Sequence, residues 1–111
     1  MTGYAKLCSS DDVPDGEMRS FDPGDNKILV VNLGGKFYAI DAICNHMGGK
    51  LVDGKLKDNI VICPRHKCEY DVTSGKIKKK AGFFVQAFSG KCNDQKSYAT
   101  KVEGGKVYVD I

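Results

Sequence analysis

Short apolar runs separated by turn residues dominate the chain. Residues 28–33 are rich in strand-forming side chains, and residues 37–41 repeat this pattern after Gly34-Gly35. A two-glycine turn between two such runs predicts a β-hairpin, because the tight turn needs positive φ. Residues 98–103 and 106–111 flank Gly104-Gly105 in the same way and predict a second hairpin.

Further strands are predicted wherever an apolar run ends at a turn signal. Helical periodicity is weak, and the best candidate for a short helix or turn is residues 9–12. Many short strands with a turn about every ten residues are typical of a small sandwich or barrel. The sequence therefore predicts an all-β fold, with additional strands at residues 60–62, 69–72 and 83–88.

Length, composition and charge exclude several classes of function. The chain has 111 residues, enough for one domain, and no apolar run approaches the roughly 20 residues that span a bilayer. Residues 1–10 lack the basic-then-apolar order of a signal peptide, so we expect a cytoplasmic protein without membrane contact. The net charge of +3 is too small to indicate nucleic-acid binding.

The chain has five cysteines and two histidines. An odd cysteine count argues against a secreted disulfide framework and favours metal-binding thiols in a reducing compartment. Each histidine lies within three residues of a cysteine, in the segments Cys44-Asn45-His46 and Cys63-Pro64-Arg65-His66. Sixteen residues separate the two segments; Met47-Gly48-Gly49 follows the first, and Pro64 lies inside the second.

Three interpretations of these four side chains are open from the residues alone. They could be buried thiols and imidazoles without a metal, although the pairing of every histidine with a cysteine argues against this. They could bind a structural zinc ion, but zinc fingers usually pair cysteine with cysteine and histidine with histidine. They could also hold a [2Fe–2S] cluster in which two histidines replace two cysteines on one iron.

The pattern C-x-H, sixteen residues, C-x-x-H resembles that of the Rieske iron–sulfur family. The resemblance implies a small Rieske-like β-sandwich holding one [2Fe–2S] cluster per chain, with Cys44 and Cys63 on one iron and His46 and His66 on the other. It also implies a single domain over residues 1–111, with a base at 1–42 and 76–111. A cluster-binding subdomain of two facing loops is expected at 43–75. The other matching segments are Val13-Pro-Asp-Gly-Glu17, Leu33 to Ile40, Tyr70-Asp71, Thr73-Ser-Gly75 and Gly104 to Val109.

The loops differ from those of high-potential members of that family. Gly49 and Arg65 occupy the positions of a disulfide found in the respiratory type, and Cys68 replaces a hydrogen-bonding serine. Tyr70 stands where the high-potential type keeps a tyrosine. The resemblance therefore implies a reduction potential in the lower half of the family range, about −150 to 0 mV. We interpret Cys68 as a small buried side chain.

The function implied is that of a soluble, monomeric electron carrier, not of an enzyme. A catalytic Rieske oxygenase also binds a mononuclear iron through two histidines and a carboxylate, and the cluster leaves no histidine for it. The implied partners are a reductase and an acceptor such as an oxygenase, with an acidic partner docking on Lys50, Arg65 and Lys67. Two alternatives are a structural zinc interaction module and a small electron-transfer subunit of a larger reductase complex. Cys8 and Cys92 are interpreted as ordinary thiols.

Overall fold

The structure is a computed structural model that describes residues 4–24, 26–43, 50–64, 68–79 and 94–111. Within these residues it contains eleven strands, all paired antiparallel, and two short 3₁₀ helices at Ser10–Asp12 and Leu51–Asp53. The strands are β1 (Tyr4–Ser9), β2 (Met18–Phe21), β3 (Ile28–Leu33), β4 (Lys36–Asp41), β5 (Lys55–Lys57), β6 (Ile60–Ile62), β7 (Glu69–Asp71), β8 (Ile77–Lys79), β9 (Ser97–Tyr98), β10 (Thr100–Glu103) and β11 (Lys106–Asp110).

The strands form three sheets, and the central one is covered on both faces. This central sheet has the order β2-β3-β4-β9. Along β3, Ile28 and Val30 belong to one buried cluster, whereas Leu29 and Val31 belong to another. In a strand buried on both faces, every side chain lies in an apolar environment, and this explains the uninterrupted apolar sequence Ile-Leu-Val-Val.

The terminal sheet, with the order β1-β11-β10, packs against one face of the central sheet. Val107 and Val109 of β11 contribute fully buried side chains to the cluster between these two sheets. The chain passes from the central to the terminal sheet at Ala99, because Tyr98 pairs with Ala39 and Thr100 pairs with Val109. The predicted strand at 98–103 is therefore divided between β9 and β10.

The short sheet, with the order β5-β6-β7-β8, consists of four three-residue strands and packs against the other face. Its Val61 and Tyr70 are opposite each other and completely buried. They share one cluster with Leu29, Val31 and Ile40 of the central sheet. The short sheet lies within residues 55–79, and the predicted boundary of a separate subdomain at 43–75 stays a prediction.

The all-β prediction is confirmed, and so are both glycine hairpins. Gly34 and Gly35 have φ values of 65° and 92°, which the turn between β3 and β4 requires. The predicted short helix at 9–12 is the 3₁₀ helix that follows Ser9. The predicted strand at 83–88 lies outside the described residues. The sequence interpretation missed β1, β2, β5 and β8.

Among the described residues, no helix is long and apolar enough to cross a bilayer.

Candidate metal centre

The first predicted ligand segment is closed at its base by the end of the central sheet. After β4 ends at Asp41, Ile43 forms an antiparallel bridge with Lys50, and the Leu51 N–H donates to the Ala42 carbonyl over 3.0 Å. These contacts join the two ends of segment 44–49. The predicted ligands Cys44 and His46 belong to that segment and lie outside the described residues.

The second predicted ligand segment connects β6 to β7 of the short sheet. Ile62 pairs with Glu69, and the Cys63 N–H donates to the Cys68 carbonyl over 2.8 Å. The base of this loop is thus a continuation of the β6–β7 ladder. Cys63 is described, whereas His66 lies outside the described residues, as do the predicted docking residues Arg65 and Lys67. Lys50, the third predicted docking residue, is exposed at the base of the first loop.

The bases of the two loops share one hydrophobic cluster. Ala42 and Leu51 from the first loop, and Cys63 and Cys68 from the second, are all buried in it. The fold brings the starting points of both ligand segments to one end of the short and central sheets.

Gly54 allows the two loop bases to touch. It follows the 3₁₀ helix at 51–53, and its N–H donates to the Leu51 carbonyl over 2.9 Å. A Cβ at this position would lie 1.9 Å from the carbonyl oxygen of Ile62 and 3.1 Å from Cδ of Pro64. Only glycine permits this approach, so residue 54 sets the distance between the segment after the first loop and the second loop.

Cys63 has the environment that an iron–sulfur ligand needs. Its thiol is free of disulfides and completely buried, directly after a strand that fixes its backbone. Thiolate sulfur is the ligand that iron–sulfur clusters require, and an apolar surrounding excludes water from the bond. The residue therefore fits the predicted cluster. Of the four predicted ligands, it is the one that the described residues include.

The other described cysteines differ from Cys63. Cys68 is fully buried, as predicted, and takes part in a disulfide. Cys8 is free and lies in the cluster between the central and terminal sheets. Burial raises the pKa of the Cys8 thiol, and the nearby negative charge of Asp12 adds to this. Both effects suppress the reactive thiolate, in agreement with the interpretation of Cys8 as an ordinary thiol. Cys92 lies outside the described residues.

A tight turn anchors the strand that follows the second loop. The Asp71 carboxylate accepts hydrogen bonds from the backbone N–H and hydroxyl of Thr73, at 2.9 and 2.6 Å, and from the Asn59 amide at 3.3 Å. Burial pushes the pKa of Asp71 upward, but these hydrogen bonds outweigh it and hold the pKa below its ordinary value. The turn stays formed while Asp71 is ionised, and it fixes the end of β7.

Sequence reasoning missed two residues that organise the loop bases. Gly54 could have been noticed only as a turn signal in Val-Asp-Gly-Lys, without its contact to Ile62. Gln95 stands in the polar run Asn-Asp-Gln-Lys, yet it is one of two buried polar residues in the described chain. Nothing local in that run signals burial.

Comparison with known proteins places this geometry in a family. Residues 3–88 match the Rieske [2Fe-2S] domain. The chain is 36% identical over 107 residues to the ferredoxin component of the alkene monooxygenase system of Xanthobacter autotrophicus, covering 96% of this chain and 80% of that protein. It is also 36% identical over 106 residues to the biphenyl 2,3-dioxygenase ferredoxin component of Rhodococcus jostii, covering 96% and 91%. The solved Sphingomonas yanoikuyae B1 ferredoxin superposes with a TM-score of 0.80 at 28% identity, covering 96% of this chain and 97% of that one.

The chain belongs to the Rieske [2Fe–2S] family. It is a ferredoxin-type electron carrier, not an enzyme, and its cofactor is a [2Fe–2S] cluster. The cluster supplies a one-electron couple between its ferric and ferrous states. The chain's own part is to bind that group.

Proposed function

We propose that the chain carries single electrons from a reductase to an oxygenase, with its cluster held by Cys44, His46, Cys63 and His66. The observation that carries the proposal is the common packing of the two loop bases, with the free thiol of Cys63 buried among them. The relatives that are components of oxygenase systems support the choice of acceptor.

The chain's own residues have a limited task in this function. Ile43 and Lys50 close one ligand segment, and Cys63 and Cys68 close the other, so each loop is tied at both ends to a sheet. Loops fixed in this way should change their shape little when the cluster gains or loses one electron. We propose that residues 43–75 act as the cluster-binding unit, supported by a base of residues 1–42 and 76–111.

The first experiment measures the cluster directly. We expect purified protein to be brown-red, to contain about two irons and two labile sulfides per chain, and to give a paramagnetic resonance signal after dithionite reduction. A colourless protein with one zinc per chain contradicts the proposal and supports a structural zinc module.

A pair of cysteine variants tests the ligand assignment. Cys63→Ala should lose the normal cluster, because the iron assigned to Cys44 and Cys63 would lose one of its two thiolates. Cys68→Ala is the comparison variant: Cys68 is equally buried at the same loop base but is disulfide-bonded, whereas Cys63 is free. It should retain iron, sulfide and the reduced-state signal. Loss of the cluster in Cys68→Ala with retention in Cys63→Ala would reverse the assignment.

Charge is distributed unevenly along the chain and supports an acidic partner. Residues 43–75 contain five Lys or Arg against four Asp or Glu, whereas residues 1–42 contain four against seven. Lys50 is exposed, and no ion pair of its side chain is found within the described ranges. A positive end that carries the cluster attracts a negative partner surface and accelerates the encounter. We propose docking on Lys50, Arg65 and Lys67.

Charge reversal tests this docking surface. Lys50→Glu should slow the second-order electron transfer from an acidic redox partner several-fold at low salt, and added salt should reduce the difference. Lys36→Glu is the matched control, because Lys36 is also exposed but lies at the opposite end of β4 from the first loop. Equal effects of the two substitutions would contradict docking at the cluster end.

The proposed setting is the cytoplasm, with the carrier acting as a monomer. The supporting observation is the agreement between the chain and ferredoxin components of bacterial oxygenase systems over almost its whole length. Fractionation of the source cells and size-exclusion chromatography of the native protein test the location and the monomer. Co-elution with a reductase would instead favour a subunit of a larger complex.

A further inference from the structure

Residues 94–96 connect the central sheet to the turn that follows β7. The Asp41 N–H donates to the carbonyl of Lys96 over 2.9 Å, at the end of β4. The Gln95 N–H donates to the carbonyl of Gly75 over 2.7 Å. One short segment is therefore hydrogen-bonded both to the strand that precedes the first loop and to the turn between β7 and β8.

The Gln95 side chain extends this connection to the first loop itself. Its Nε2 donates two hydrogen bonds, to the carbonyl of Asp41 over 3.0 Å and to the carbonyl of Ile43 over 2.8 Å. An amide nitrogen has two hydrogens, and these two bonds use both of them. Gln95 is only 5% exposed, so water does not compete for these carbonyls. Ile43 is the residue directly before the proposed ligand Cys44.

The turn at Gly75 is shaped to receive this segment. A Cβ at Gly75 would lie 2.2 Å from the Gln95 carbonyl oxygen, and the residue has a φ of +78°. The neighbouring Asp94 carboxylate accepts the Ile77 N–H over 2.8 Å, which binds the segment to β8 as well. The backbone of Gln95 is thereby fixed against the short sheet while its side chain holds the other loop.

We propose that Gln95 is a positioning residue that fixes the base of the first ligand loop relative to the second ligand loop. The inference rests on the proposed cluster ligation, because it concerns the residue next to Cys44. A buried donor that satisfies two backbone carbonyls at a loop base restricts the position of the ligand that follows. Gln95 lies beyond residues 3–88, the part of the chain that matches the family domain.

The test replaces the donor without changing the length of the side chain. Gln95→Met keeps the apolar stem but leaves the carbonyls of Asp41 and Ile43 without their donor. We expect the holoprotein to release its cluster to an iron chelator about tenfold faster or more, as the loss of two buried hydrogen bonds predicts. The reduced-state resonance lines should broaden, because the ligands of the first loop occupy a wider range of positions.

Hydrogen–deuterium exchange supplies a local measurement. The Leu51 N–H donates to the Ala42 carbonyl at the base of the first loop, so the peptide that contains it should exchange faster in Gln95→Met. Tyr98→Phe is the matched control, since it removes a bond to the Asp41 side chain and leaves both backbone carbonyls held. It should keep the cluster release rate and line widths of the unmodified protein.

Gln95→Asn is a second variant, used in case Gln95→Met does not fold. Its amide is one methylene shorter and cannot reach both carbonyls, so it should show the same changes in weaker form. Unchanged release rates and line widths in folded Gln95→Met or Gln95→Asn would overturn the inference, as would equal acceleration in Tyr98→Phe. If the unmodified protein itself holds no iron and sulfide, the proposed function fails instead.

Discussion

The hydroxyl of Tyr98 in β9 donates a hydrogen bond to Oδ1 of Asp41, the last residue of β4, over 2.5 Å. Partial burial, the hydrogen bond and the negative charge of Asp41 together raise the pKa of Tyr98 to about 12. The ammonium of Lys96 lies 5.0 Å from the centre of the same ring. The neutral tyrosine thus fixes the Asp41 side chain at the end of β4, whereas the backbone carbonyl of Asp41 is held by Gln95.

Alkaline pH should weaken this contact. The pKa of Tyr98 is raised from 10.0 in the unfolded chain to about 12 in the fold, so its stabilisation is complete below pH 10.0 and is lost as the pH rises through about 12. Urea unfolding from about pH 9 to about pH 11 should show a decline in stability that is smaller in Tyr98→Phe. Tyr108→Phe is the control, because no hydrogen bond of its hydroxyl is found in the described chain, and it should keep the full decline. An equal decline in Tyr98→Phe would contradict the assignment.

Adding a methyl group at Gly54 should separate the loop bases. In Gly54→Ala the new Cβ overlaps the Ile62 carbonyl, and relief of that overlap costs about 1–3 kcal/mol of folding free energy. We expect a lower thermal midpoint and less iron per chain. Gly34→Ala is the control: its Cβ meets no atom within 4 Å, so it introduces only the strain of a φ of 65° and should load iron normally. Normal iron content in Gly54→Ala would show that the contact does not set the loop distance.

Removing the hydroxyl of Tyr70 should lower the reduction potential. Tyr70 is completely buried in β7 and shares a cluster with Cys63, and the family resemblance implies that its hydroxyl donates to a ligand sulfur. A hydrogen bond that favours the more negative, reduced cluster by about 1 kcal/mol corresponds to about 40 mV. Potentiometric titration of Tyr70→Phe measures the shift. An unchanged potential removes Tyr70 from the groups that tune the cluster.

Replacing Cys8 should leave the cluster intact. Cys8→Ala removes one buried sulfur between the central and terminal sheets and should cost about 1 kcal/mol of stability. Iron, labile sulfide and the reduced-state signal should not change. In the unmodified native protein, iodoacetamide should fail to label Cys8, because burial shields the thiol and raises its pKa. Loss of the cluster in Cys8→Ala would show that this distant thiol takes part in holding it.

The parts of the fold that were predicted depend on local chemistry. Gly34-Gly35 defines a hairpin by itself, and the run at 28–33 is apolar because both faces of that strand are buried. The strand at 55–57 was missed because Lys-Leu-Lys acquires its conformation only from pairing with β6. The division at Ala99 arises from a change of pairing partner, which no local pattern records.

The same distinction applies to the candidate site. The spacing of cysteine and histidine predicts the ligand set, since only a few metal centres use such pairs. The contact of Gly54 with Ile62 spans eight residues of the chain, and the hydrogen bonds of Gln95 to Asp41 and Ile43 span more than fifty, so only the folded structure reveals them. Sequence identifies the groups that can bind the metal, whereas tertiary packing determines how rigidly they are held.

The hydrogen bonds that close each loop at its base have a consequence for protein engineering. Because Ala42 with Leu51, and Cys63 with Cys68, fasten the ends of the loops, substitutions between those ends leave the sheet registers unaffected. Grafting the tips of a relative onto these anchors should therefore change the immediate surroundings of the cluster while the pairing of the strands is preserved.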